Sequence, residues 1–295
     1  MNTRAVERYI EYHRRNALYK EIDTHLDAAV YLSDLYGMNE DERAFFAFLN
    51  ACCETTPTAL WIWDKFRTLE SAKENGIVDF VFKHADNLPF QYDVRWIRYK
   101  FDKVFDSYWR TSKRNGMRDI DEIRAAAHGE SETGVYRNFC KNFKIYMFGT
   151  YVSYLYTELL SYICGVWIPV VLDPATNHSV RSGLIYCLGL ENEIRCVKKG
   201  SVPTERELEI LKSGLEFAKQ KIGALDITNR HKTLWAMETT LCTFNKFNHG
   251  RRWLGFYCQR QKKEIDRMSS YTKRIGDRFD WSVLRDYRLL TFGVE

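Results

Sequence analysis

The chain has 295 residues, 45% of them hydrophobic and 15% aromatic, which is ample for the packed core of one large domain or two small ones and argues against intrinsic disorder. Only 5 Pro and 16 Gly disfavour collagen-like, linker-rich and many-turned all-β architectures and leave long helices as the economical reading. The formal charge of +5 is unevenly placed: residues 244–295 carry 12 Lys/Arg and 6 Asp/Glu, a net of +6, so everything before them sums to −1. A basic C-terminal segment suggests a polyanionic partner, although solvated helix faces give similar counts.

The best apolar run, Ile163 to Leu172, is short and interrupted by Gly165 and Pro169, so no bilayer span and no membrane partner are expected. Met1 to Arg4 opens directly into a charged amphipathic pattern instead of an apolar signal core, and a cytoplasmic protein is expected. The eight cysteines (52, 53, 140, 164, 187, 196, 242 and 258) contain no C-x-x-C pair and read as reduced, buried thiols. The seven histidines form no H-x-x-x-H pair and no H-x-E with paired cysteines, so neither a zincin nor a zinc deaminase is supported.

In chain order, Val6, Ile10, Leu18, Ile22, Leu26 and Val30 predict one or two helices up to Gly37. Asn39 with Glu42 predicts a capped helix starting near Asp41, and Thr56 before Pro57 opens another that should end before Gly76. Tyr92 to Trp109 is aromatic with helical spacing. The polar stretch from Arg110 to Gly134 reads as a long connection with some helix, and residues 110–134 as the most plausible lobe boundary. Phe139 to Tyr162 predicts a largely buried helix, Thr204 with Glu207 the start of a helix closed by Gly223, and His231 to Phe247 one more. The last 40 or so residues look less regular, and an all-α architecture of ten or more helices results.

No G-x-x-x-x-G-K-[ST], G-x-G-x-x-G or G-x-S-x-G occurs, which removes the signatures of P-loop hydrolases, Rossmann dehydrogenases and ordinary α/β-hydrolases. Three segments carry a resemblance: FLNACCETTPTALWIWDKF at Phe48 to Phe66, FGTYVSYLYTELL and DPATNHSVRSGLIYCLGL within Phe148 to Leu190, and ETTLCTFNKFNHGRRWLGF at Glu238 to Phe256. Together they resemble the phage amino acid:DNA transferases, also described as α-glutamyl/putrescinyl thymine pyrophosphorylases. That family is related to the helical part of the 5-hydroxymethyldeoxyuridine DNA kinases and, distantly, to helix-hairpin-helix DNA glycosylases. The missing phosphate loop excludes the kinase, and the glycosylase hairpin L-P-G-x-G is absent.

The resemblance implies one helical catalytic unit over residues 1–295 with a two-lobed, glycosylase-like architecture. It implies a transferase acting on double-stranded phage DNA, hence in the host cytoplasm, that replaces the pyrophosphate of a pyrophosphorylated 5-hydroxymethyluracil with an amino acid or polyamine. No organic cofactor is required, with Mg²⁺ an optional aid to pyrophosphate departure. The alternatives are a non-catalytic helical DNA-binding or virion protein and a DNA glycosylase.

This chemistry needs positive charge or backbone N–H groups for the leaving pyrophosphate, a deprotonated amine and a base outside the stack. Ser179 and Arg181, at the start of a helix ended by Gly189, suit the pyrophosphate; alternatively Ser179 only caps the helix and Arg181 pairs with a surface acid. Tyr151, Tyr154 and Glu158 share one side of a helix, as stacking rings and base or as an aromatic core with Glu158 at its rim. Glu238, beside an apolar face, is a second base candidate or a partner of Arg251 or Arg252. Asp173 is a third through the family's acidic position, though before Pro174 it also suits a turn. Arg251 and Arg252 beside Trp253 could follow a phosphate backbone or be solvated charge.

Overall fold

The computed structural model describes residues 2–91, 94–194 and 201–294. Among them it is all-helical, with fifteen α-helices, two 3₁₀ turns and no strand. The N-terminal periodicity resolves into α1 (Thr3–Leu18) and α2 (Thr24–Leu35), separated where Lys20 and Asp23 take positive φ and followed by Gly37 at φ 55°. α3 (Glu40–Cys53) opens on the capping box of Asn39 and Glu42.

α4 (Thr56–Phe66) has Thr55 at its N-cap position, one residue earlier than expected and without a side-chain capping bond, and Pro57 as its second residue. It stops at Phe66 instead of running towards Gly76, because Arg67 leaves the helix at φ 61° and Thr68 caps α5 (Leu69–Glu74). Gly76 then leads into α6 (Ile77–His84). The helix expected from Tyr92 begins, after two residues outside the described ones, as a 3₁₀ turn at Ile97–Lys100 that continues into α7 (Phe101–Ser112).

α8 (Asp119–Ala126) and α9 (Glu132–Asn142) lie within the polar stretch and beyond it. The single aromatic helix expected from Phe139 to Tyr162 is two, α9 and α10 (Thr150–Ile163). Between them Phe143 and Ile145 turn into the core. The loop is tied to α7, with Thr111 donating to the Lys144 carbonyl at 3.1 Å and the Tyr146 amide donating to Ser107 at 2.9 Å.

α11 (His178–Leu188) ends at Gly189, whose φ of 67° suits glycine. α12 (Glu205–Gly223) starts at the expected capping box, Thr204 with Glu207, and includes Gly223 as its last residue. α13 (Leu234–Asn248) follows a 3₁₀ turn at Asn229–Lys232. The C-terminal region is regular after all: α14 (Phe256–Arg274) and α15 (Ser282–Phe292) fill it. Its pattern is hidden because buried positions of α14 include Gln261, Glu264 and Thr272 beside Ile265 and Met268, so polarity masks a helical stripe.

Contacts divide the chain into two compact units. The smaller comprises Met1–Thr24 and Val171–Gln259, the larger His25–Val170 and Arg260–Glu295; residues 110–134 fall inside the larger one. In the larger unit α3 is buried all round from Ala44 to Cys53, as a central helix must be. Phe48 stacks on Tyr108 at 3.9 Å and 3°, and Phe139 on Phe143 at 5.4 Å. In the smaller unit, buried His13 bridges Thr240 at 2.7 Å and the His231 carbonyl at 2.8 Å. Glu21 accepts from the Tyr257 and Cys258 amides, so a carboxylate caps the start of α14.

The seven described cysteines are free thiols, and burial raises those of Cys52, Cys53 and Cys187; Cys196 lies outside the described residues. No helix among the described residues is long and apolar enough to cross a membrane.

Candidate functional site

Within the smaller unit the site is built where α11 and α13 touch. A Cβ on Gly183 would lie 2.4 Å from the Leu241 carbonyl oxygen, so only glycine permits this approach. One turn from it Asn245 donates to the Ser182 hydroxyl at 2.7 Å, and further along the Tyr186 hydroxyl meets His249 Nε2 at 3.2 Å. From Ser182/Asn245 to Tyr186/His249 both partners advance by four residues, so along this seam the two helices run in the same direction and their positive N-terminal ends lie on the same side.

On that side lies the turn 173–177. The Asp173 carboxylate accepts from the Ala175 amide at 3.0 Å and the Thr176 hydroxyl at 3.1 Å, a local Asx-type arrangement. Asn177, not Ser179, caps α11, accepting from the amides of Ser179 and Val180. Arg181 does not sit at the surface: it is 4% exposed, and its Nη1 donates to the carbonyls of Pro174 at 3.2 Å and Ala175 at 3.0 Å. A buried guanidinium thus holds the turn that also carries Asp173.

Glu238 enters from α13, one turn inside its N-terminus, and is 6% exposed. It acts on the neighbouring Cys242: burial first and the Glu238 charge second raise that thiol, while Lys246 and the Ser179 hydroxyl oppose them. Ser179 and Glu238 therefore converge on Cys242 from the two helices. Asp173, Ser179, Arg181 and Glu238 all belong to this end of the α11/α13 pair.

Tyr151, Tyr154 and Glu158 stand on α10, in the larger unit. Tyr151 is exposed and its hydroxyl donates to Glu54, whereas Tyr154 and Glu158 are 5% and 3% exposed. Glu158 is thus enclosed instead of sitting at a solvent rim, and of the two rings only Tyr151 is exposed.

Arg251 and Arg252 follow the end of α13. Arg251 is exposed, and the Arg252 guanidinium lies 3.9 Å from the centre of the Phe256 ring and 5.9 Å from that of Tyr257. Trp253, half exposed, meets Phe256 edge-on at 5.0 Å. Cation and indole are thus presented together, an arrangement suited to phosphate and base. Asn177, Cys242, Asn245 and Phe256 were missed by sequence reasoning. Asn177 carried a legible signal as an Asn just before a helical run; the others are revealed only by tertiary packing.

A scan of protein-family models finds none that matches the chain, and a search of curated proteins finds no match.

Proposed function

We propose that the chain is a DNA base-modifying transferase of the type it resembles, replacing pyrophosphate on a pyrophosphorylated 5-hydroxymethyluracil with an amine. The amine nitrogen forms a bond to the base methylene carbon as the carbon–oxygen bond to pyrophosphate breaks, and the nitrogen gives up its proton. Pyrophosphate carries away the bonding electrons, and no redox partner is needed. In this reading Arg181 and the paired helix N-termini supply positive potential for the departing anion. A carboxylate takes the proton: Glu238 and Asp173 share the smaller unit with Arg181, and Glu158 is the candidate in the larger. Arg251, Arg252 and Trp253 hold the DNA strand, and Tyr151 is the accessible stacking ring.

The observation that carries this reading is the α11/α13 contact. Two of the three resembling segments, separated in sequence by the whole of α12, pack side by side with Gly183 against Leu241. The S-x-R-x-G stretch has a place for each of its residues: Ser179 beside Cys242, Arg181 in the 173–177 turn and Gly183 at the contact.

Amine-dependent pyrophosphate release from DNA carrying the pyrophosphorylated base tests the reaction, with and without Mg²⁺. Release should rise with enzyme and require an amine. Absence of release with every amino acid and polyamine tried, while the DNA is bound, points instead to a non-catalytic binding protein. Liberation of free base points to a glycosylase.

A further inference from the structure

The basic charge of the C-terminal segment gathers on α14, which holds six Lys/Arg and two Asp/Glu. Arg260 pairs with Glu264 and Lys262 with Asp266. Lys263, Arg267 and Arg274 form no ion pair with a described acid and, with Ser270, recur at steps of four, three and four residues on the exposed side. At about 1.5 Å per residue they make a stripe roughly 16 Å long.

Along this stripe opens a cleft of about 360 Å³ lined by Asn87, Arg267, Ser270, Tyr271 and Arg274. Arg274 donates to Asn87 at 2.7 Å, and its guanidinium lies 5.3 Å from the centre of the Tyr271 ring, whose hydroxyl is hydrogen-bonded to His84. Two residues before Asn87, the Ala85 carbonyl accepts from Arg98 at 3.4 Å. Arg98 in turn lies 4.6 Å from the centre of Tyr99, and Arg95 lies 5.0 Å from that of Trp96. Trp96 is 58% exposed and Tyr99 45%.

All these groups belong to the larger unit, whereas Arg251 and Arg252 belong to the smaller. Guanidinium groups suit phosphodiesters, and large exposed rings suit unpaired bases. Inorganic phosphate would occupy the cleft alone, and an acidic peptide would leave Trp96 and Tyr99 unused. We propose that this face binds single-stranded DNA, with phosphates along Arg267 and Arg274 and bases on Trp96 and Tyr99. The choice of DNA rests on the reading above, since reaching a base outside the stack unpairs a strand.

The test is fluorescence anisotropy with a labelled oligodeoxythymidylate over a range of salt concentrations, with labelled polyglutamate as comparator. Trp96→Ala with Tyr99→Ala should weaken oligonucleotide binding about tenfold or more, and the Leu pair, which keeps apolar bulk, should weaken it as well. Arg267→Gln with Arg274→Gln should lower the salt slope by about 1.4, at about 0.7 for each single-strand phosphate. All variants should melt as the wild type does. Wild-type affinity and slope in these variants overturn the proposal, as does polyglutamate binding equally tightly with the same losses. Amine transfer measured on the same proteins separates the two ideas. Oligonucleotide binding with the expected losses but no transfer sinks only the transferase reading, and transfer with unaffected oligonucleotide binding in the variants sinks only this one.

Discussion

The larger unit closes around stacked rings, Phe48 on Tyr108 and Phe139 on Phe143, with α3 enclosed from Ala44 onward. The smaller unit closes around hydrogen bonds between polar side chains and carbonyls: His13 between Thr240 and His231, Asn245 on Ser182, Arg181 on the 173–177 turn. Apolar stacks stabilise through area removed from water and are indifferent to protonation. Buried polar groups cost desolvation and persist only when satisfied. Both units bury such groups, the larger among them Asp119, Glu122 and Arg288, but in the smaller those named tie α1, α11, α13 and the 173–177 turn together. On the proposed reading the larger unit serves as scaffold and strand-binding face and the smaller as the seat of reaction.

The scaffold half of that contrast is broken most forcefully at the stack itself. Phe48→Ala should cost about 3–5 kcal/mol of stability in denaturant unfolding; a loss below about 1 kcal/mol would show that the ring stack is not what holds the larger unit.

Protonation separates the units next. Burial lowers His13 from 6.5 to about 4. A depressed folded pKa gives stability that is complete above 6.5 and drains away as pH falls towards 4, by about 3 kcal/mol. Burial raises Asp119, in the larger unit, from 3.8 to about 6 despite its pairing with Lys113. A raised folded pKa gives stability that is complete below 3.8 and is lost as pH rises towards 6, by a similar amount. Relative to the wild type, His13→Gln should therefore flatten the acid loss, and Asp119→Asn should gain as pH rises from about 4 to 6. Unfolding curves across pH 4–7 check both, and two differences that do not depend on pH would contradict the assignment.

The reactive half of the contrast is sharpened by uncharged isosteres. Of Glu158→Gln, Asp173→Asn and Glu238→Gln, the one that removes the base should lower the transfer rate by about 10² or more while DNA binding persists, with partial rescue at higher pH as more amine becomes neutral. Near-normal rates for all three across pH would move the proton to a substrate phosphate oxygen. Arg251→Ala with Arg252→Ala should give the smallest effect, a duplex-binding salt slope lower by about 1.8, at about 0.9 per phosphate. An unchanged slope takes the pair off the DNA.

Local signals were the most legible. The capping boxes at Asn39 and Thr204 and the stops at Gly37 and Gly189 lie where the residues predict them, because a cap depends on a few adjacent residues. The break after Phe66 was not legible, since Arg67, not a glycine, takes the positive φ that ends the helix. The break between α9 and α10 depends on loop bonds to Ser107 and Thr111, far away in sequence. The stretch from Ser179 to Gly183 was legible as the start of a helix. What Gly183 packs against, and that Arg181 turns inward to two carbonyls, were decided by tertiary contacts that periodicity does not encode. Glu158 illustrates the same limit: its helix position was foreseen, its enclosure was not.

The most direct measurement is the nucleoside mass profile of DNA bearing the pyrophosphorylated base after incubation with the protein and a panel of amines. A thymidine derivative heavier by the amine in use, formed in step with pyrophosphate release, is expected. A profile unchanged by the protein, or abasic sites in place of an aminated base, would contradict it.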